Sequence, residues 1–510
     1  MPNPLYDILF SGYTGNKTTF IVDSCHAEEV SYDTFLKSTG QCANAICELG
    51  LQPGDRLAAQ VDKSVASLVL YAACVQAGIV YLPLNTTYTA AEVNYFIQDS
   101  GAKLLVCNPE SEARLLSIVT QHQAILMTQS ADGKSGSLPD ACQHAFAEFL
   151  TVDRKTDDIA AFLYTSGTTG RSKGAMLTQG NLLSNCEALK EVWQFTKNDV
   201  LLHALPIFHT HGLFVATNVS LACGAKIIFE PSFNIDRIIQ LLPRVTTMMG
   251  VPTFYTRLLG DERFNRQLTQ HMRLFISGSA PLLTETHLQF EKRTGHRILE
   301  RYGMTETNMN TSNPYDGERR AGTVGFALPG VELKITDPVT AQQLPQGDIG
   351  QIEVRGPNVF KGYWNMPEKT AQELRADGFF ITGDLGLIDA DGYLSIVGRD
   401  KDLIISGGYN IYPKEIESIL DEQLGVIESA VVGVPHPDFG ETVVGVLVVE
   451  SDSVDLNTIE AALTEQLARF KHPRQLVLVE ALPRNTMGKV QKNLLRDQYK
   501  TLFTPQVSSQ

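Results

Sequence analysis

Eleven residues, YTSGTTGRSKG from Tyr164 to Gly174, concentrate three glycines, five serine or threonine hydroxyls and two cations, Arg171 and Lys173. Glycines let backbone N–H groups come close to an anion, hydroxyls add donors, and the cations offset negative charge. Such a stretch handles phosphate, and a nucleoside triphosphate is the guest it suits. A Walker loop needs glycine, four residues, then Gly-Lys followed by Ser or Thr. Here Lys173 stands between Ser172 and Gly174, so an ordinary P-loop NTPase is disfavoured. A flexible Ser/Gly linker is a poor alternative, because the stretch follows a strand-like run, Ile159 to Tyr164, and precedes a helical pattern.

Four further segments carry groups of the same kind: RYGMTET (Arg301 to Thr307), FFITGDL (Phe379 to Leu385), GRDKDLIISGGYNIYPKEIE (Gly398 to Glu417) and PRNTMGK (Pro483 to Lys489). By these motifs, in this order and over most of its length, the chain resembles the adenylate-forming superfamily of acyl-CoA synthetases, luciferases and peptide-synthetase adenylation domains. The resemblance implies two steps. A carboxylate attacks the α-phosphate of ATP to give an acyl-adenylate and pyrophosphate, and the thiol of coenzyme A then displaces AMP. ATP, Mg²⁺ and coenzyme A are the small molecules so implied.

Carried onto this chain, the resemblance gives Thr165, Ser166, Gly167, Thr168, Thr169, Gly170 and Lys173 the β- and γ-phosphates. Tyr302 would stack on adenine, with Ala280 also at the nucleotide, and Thr305 would bond the α-phosphate. Glu306 would hold Mg²⁺, a hard cation that prefers carboxylate and phosphate oxygens. Asp384 would accept from the ribose hydroxyls with Arg399 assisting. Lys489 would bridge the acyl carboxylate and the α-phosphate, where a compact ammonium suits the concentrated negative charge. Rotation of a C-terminal lid about Lys401 would withdraw Lys489 and present Gly407 and Gly408 to the pantetheine arm, excluding water from the labile adenylate.

The acyl pocket in this superfamily is built from the segments following FHTHG, from GVPT and SGSA, and from the residue before YG. A fatty or aromatic acid would call for apolar residues there. This chain offers Arg257, Ser279 and Arg301. Two guanidiniums aimed at such a pocket fit a substrate with a second carboxylate, which a planar fork takes bidentately; the alternative is that both arginines pair with protein carboxylates such as Glu300 or Glu306. His209 and His211 in FHTHG stand nearby, either as pocket residues, with His209 the one expected, or as structural histidines. The trio, with GMTETNMNTSNP downstream, is similar to malonyl-CoA synthetases, which makes malonate the expected acid and methylmalonate a further candidate. The rivals are another acyl-CoA ligase or carrier-charging domain of the superfamily, and a nucleotide-binding relative without activity. Lys489, Glu306 and Asp384 together argue against the last.

These groups need a scaffold. A chain of 510 residues is too long for one compact core. From about Ser31 to Ile404, strand-like runs (IVYLPLN, AKLLVCN, AFLYTSG, KIIFEP, TTMMGVP) alternate with helical ones (VASLVLYAACVQAG, IDRIIQLLPRV). Alternation of this kind predicts an α/β fold of mixed sheets covered by helices. Near Gly398 the texture changes to short elements, so residues 1–400 are expected to form a large N-terminal domain and 401–510 a small mobile α+β domain carrying Lys489. Ser130 to Asp140 reads as an exposed loop.

At 43% hydrophobic and 19% charged the composition is that of a globular domain, and a net charge of −15 disfavours nucleic acid. Val65 to Leu84 is long enough to test as a membrane span, but Gln76, Gly78 and Pro83 break it, and it reads as a buried helix stopped at Gly78 followed by a strand. Eight cysteines without metal-ligand or paired spacing fit a reducing compartment. With neither a secretory signal nor an Arg-rich transit pattern at MPNPLYDILF, the cytoplasm is expected. No feature of the sequence fixes the oligomeric state.

Overall fold

The computed structural model describes residues 2–165, 172–406, 409–450, 454–485 and 488–503. Ser166 to Gly170, Gly407 and Gly408 lie outside these residues. The fold is α/β, with a large N-terminal and a small C-terminal domain. Two sheets dominate. In the larger, Leu299–Met304, Leu274–Ser277, Thr247–Gly250, Val200–His203, Lys226–Phe229 and Thr19–Asp23 run parallel, with antiparallel strands added at both edges. In the other, five parallel strands end in an antiparallel hairpin, Ile159–Thr165 against Lys173–Thr178.

Helix Val65–Ala77 joins one apolar core to both sheets. Ser64 caps it, exchanging hydrogen bonds with Ser67, and Gly78 ends it in the left-handed region at φ 70°. It is buried from Ser67 onward, as the unbroken apolar run and the glycine stop predict, and Val80–Pro83 follows as a strand. Among the described residues no helix is long and apolar enough to cross a membrane.

The expected loop at Ser130 to Asp140 is corrected in its second half, where helix Ser137–His144 forms. Leu138 is buried there and the helix packs on Tyr32–Glu48, a burial gain that outweighs the Gly/Ser-rich local signal.

An antiparallel four-stranded sheet spans Glu332–Thr336, Gly350–Arg355, Phe380–Ile388 and Leu394–Arg399. After a single 3₁₀ turn, Asp400–Asp402, the chain enters a separate five-stranded sheet made only of strands beyond residue 403. Its core, centred on Ile404, Val431 and Leu447, is its own. All eight cysteines are free thiols.

Candidate active site

Ligands of open parallel sheets collect at the carboxyl ends of the strands, and Thr165, Ser279, Arg301 and Glu306 lie at or just beyond such ends. Thr165 and Lys173 are direct cross-strand partners at the neck of the glycine-rich hairpin. Glu306 sits in the turn between Leu299–Met304 and Asn308–Ser312 and is 5% exposed. Its Oε1 accepts a hydrogen bond from Thr165 at 3.3 Å. Thr305 occupies the same turn, half-buried. Lys173 is held by Glu373 and lies over the ring of Tyr363, two partners that no motif in the sequence had marked.

On the opposite wall Asp384 and Arg399 are cross-strand partners, with Arg399 Nε 2.6 Å from Asp384 Oδ1. The Tyr302 hydroxyl donates to the other oxygen at 2.5 Å, which fixes that ring at its edge. Lys489 reaches the same cleft from the C-terminal domain. Its loop turns at Gly488, φ 74°, against Thr253, and its own N–H donates to Asn485 Oδ1 at 3.0 Å.

The Lys489 side chain remains open to solvent in the cleft, yet the crowding walls strip part of its hydration and Arg399 and Lys401 repel it. Asp384 and Asp402 oppose, and its pKa is brought down to about 8. If adenylation needs the ammonium, kcat/KM for pyrophosphate release should fall as pH rises past about 8. Thiolation of supplied adenylate should lack that limb. Arginine keeps its charge throughout, so Lys489→Arg should remove or shift the limb; a limb unmoved by this change would belong to another group.

The residues expected at the acyl pocket lie on neighbouring strand ends and on the helix Pro252–Leu259. Arg301 is 3% exposed, and its Nε and Nη2 have no hydrogen-bond partner. Burial lowers its pKa to about 9, still well above neutrality. Among the described residues it forms no ion pair: the adjacent Glu300 turns to the other face of the strand, accepts from the Leu282 N–H at 3.2 Å, and is pushed up to about 8 by burial. Ser279 adopts φ 73° without being glycine, a strained conformation of the sort found where a site dictates geometry. Its hydroxyl meets His211 Nδ1 at 3.1 Å.

Burial, then the charge of Arg301, holds His211 well below the usual histidine range, and burial brings His209 down to about 4. Both rings are therefore neutral at pH 7, and both leave Nε2 unpartnered. His211, not His209, makes the bond to Ser279. Arg257 differs from Arg301: it is exposed on helix Pro252–Leu259, whose Tyr255 and Leu258 face the core. Of the two guanidiniums expected at the acyl pocket, Arg301 is buried and Arg257 lies at the surface, because helical spacing turns position 257 outward.

His211–Thr217 is a π-helix, buried throughout. Gly212 is required at its start, since a Cβ there would lie 2.0 Å from the Pro206 carbonyl oxygen. Gly278 has a comparable role under Arg301. A Cβ on it would sit 2.3 Å from Arg301 Cζ and 2.5 Å from Nε. If Arg301 docks the expected diacid, Gly278→Val should displace the guanidinium and raise KM for malonate by about tenfold or more, with KM for ATP and the melting temperature much less changed. Equal shifts in both KM values would deny Gly278 this role.

The chain matches the model of the AMP-binding enzyme family over residues 12–364 and that of the AMP-binding enzyme C-terminal domain over residues 415–489. It belongs to the AMP-binding enzyme family. A malonate–CoA ligase of Arabidopsis thaliana is 37% identical over 452 residues, covering 82% of this chain and 74% of that protein. The crystal structure of ATP-bound MatB from Rhodopseudomonas palustris is 55% identical, covers 99% of this chain and 100% of its own, and superposes with a TM-score of 0.97. Apo MatB from the same organism, at the same identity, gives 0.86. The arrangement of this chain is thus nearer to the ATP-bound form.

Proposed function

We propose that this protein is an ATP-dependent malonate–CoA ligase. Malonate and ATP give malonyl-adenylate and pyrophosphate, and coenzyme A then gives malonyl-CoA and AMP. The observation that carries the choice of acid is Arg301, a buried guanidinium with two donor nitrogens unused. A buried charge without a partner is costly, and a dianion whose far carboxylate docks on Arg301 removes that cost. Ser279 would donate to the same carboxylate while accepting from the protonated Nδ1 of neutral His211, and neutral His209 would add a donor without adding charge. Arg257 could reach malonate only by folding in from the surface, so its part is secondary.

At the other end the acyl carboxylate faces Lys489, the α-phosphate and Thr305. Tyr302 and Ala280 border adenine, while Asp384 and Arg399 take the ribose. Thr165, Lys173 and the loop of Ser166, Gly167, Thr168, Thr169 and Gly170 take the β- and γ-phosphates. The donors present fit Mg²⁺: among the described residues there is no cluster of three or more metal-ligating side chains, whereas Glu306 is a buried carboxylate at the phosphate loop. One carboxylate with substrate phosphates is how that ion is usually held, and it would supply charge neutralisation between the phosphates there.

For the second step, residues 401–510 act as a lid that turns at Lys401, withdraws Lys489 and brings Gly407 and Gly408 to the thiol-bearing arm. The free thiols make the cytoplasm the compartment we favour. The direct test is ATP-dependent pyrophosphate release and thioester formation across a panel of malonate, methylmalonate, acetate and a medium-chain acid. Malonate should lead by kcat/KM. Faster use of an acid with an uncharged tail would overturn the substrate, and release with none of them would overturn the reaction.

A further inference from the structure

We infer that Tyr363 and Glu373 are positioning residues for adenylation, fastening the phosphate-loop cation Lys173 to the carboxylate Glu306 so that the two groups facing the triphosphate are held as one unit. This rests on the nucleotide site proposed above. Lys173 Nζ lies 3.4 Å from each carboxylate oxygen of Glu373 and 4.1 Å from the centroid of the Tyr363 ring. The Tyr363 hydroxyl lies 2.6 Å from Glu373 Oε2 and 3.0 Å from Glu306 Oε1. Lys369, one turn earlier on helix Pro367–Glu373, closes on Glu373 at 2.8 Å.

The charges make this more than a local ion pair. Lys173 and Lys369 bring two positive charges to the single carboxylate of Glu373, so Lys173 is held in place without being cancelled and keeps attraction for a phosphate. Burial alone would raise the Glu373 pKa, but hydrogen bonds from Lys369 and Tyr363 and the charge of Lys173 hold it below the usual carboxylate range. The phenol shares its one proton between Glu373 Oε2 and Glu306 Oε1 as a three-centre bridge with the shorter arm to Glu373, so Glu306 stays tethered and keeps lone pairs for a cation. A lysine left to swing on four rotatable bonds would pay ordering entropy each time nucleotide bound. The ring beneath and the carboxylate beside it settle that cost during folding.

Tyr363→Phe keeps the ring and removes the bridge; Glu373→Gln keeps the shape and removes the charge. Each should raise KM for ATP in pyrophosphate release by about tenfold, and weaken binding of a non-hydrolysable ATP analogue with Mg²⁺ in calorimetry to match. Thiolation of supplied malonyl-adenylate and KM for malonate should stay within about twofold of the parent values. Glu373→Asp should recover part of the loss. An unchanged KM for ATP overturns the inference, as does a parallel fall in both half-reactions with a lowered melting temperature, which would mark a merely structural contact. Lys173→Met separates the levels. If it too leaves ATP binding intact, the nucleotide-site assignment falls and this inference with it; if it alone impairs ATP binding, only the role of Tyr363 and Glu373 is overturned.

Discussion

Lys489→Ala should abolish malonyl-adenylate formation, by about a thousandfold or more, while thiolation of supplied malonyl-adenylate stays near its parent rate. The effect is large because Lys489 would meet negative charge from the acyl carboxylate and the α-phosphate as they close on one another, in a cleft where, of the two cations that repel it, Arg399 is already bound to Asp384 and Lys401 stands at the start of the C-terminal domain. No neighbouring side chain can take over the position. Alanine leaves the fold unburdened, since the loop is held by backbone contacts to Asn485 rather than by the ammonium. Rapid-quench measurement of pyrophosphate and of thioester, run separately, checks it. Equal loss in the two half-reactions would show that Lys489 is needed in both lid positions and would remove the basis for a rotating domain.

Arg301→Leu should lower malonate kcat/KM by at least about a hundredfold. Breaking a buried charge pair by deleting one partner costs roughly 3–5 kcal/mol, and on the proposed reading the partner stranded would be the far carboxylate of the substrate. Acetate has no such group, so its slow turnover should change little or rise as the pocket becomes apolar. A paired loss on malonate and acetate would mean that Arg301 supports the architecture of strand Leu299–Met304 and does not read the diacid. Leucine is the stricter choice over lysine, because an ammonium could still offer the substrate a point charge.

Much of this candidate site is legible in the sequence, for reasons that differ from residue to residue. Thr165, Lys173, Thr305, Glu306, Asp384 and Lys489 lie in short motifs where glycine, hydroxyl and charge occur together, and such local chemistry survives in one dimension. The helix at Val65 was legible because an apolar run ended by glycine has one good solution. Arg257 and Arg301 looked equivalent as letters; only helical phase separates the outward residue from the buried one. The left-handed turn at Ser279 had no signal, because glycine would be the ordinary choice at such a backbone angle. Tyr363 and Glu373 were invisible for another reason: their partners Lys173 and Glu306 are distant in the chain, and a contact made by sheet packing leaves no periodic trace. Helix Ser137–His144 was masked by glycine and serine at its entrance.

The π-helix beginning at His211 has a consequence for how this pocket can change. A wide-bored turn carries one more residue than an α-turn of similar rise, and such segments mark functional positions. Loss of a single codon within 212–217 would let the backbone relax into the commoner helix and swing His211 off Ser279, while every other wall of the pocket stayed in place. If this pocket holds the acid, its substrate range is open to substitution on the walls, whereas a deletion at that one place would undo the His211–Ser279 contact through chain length alone.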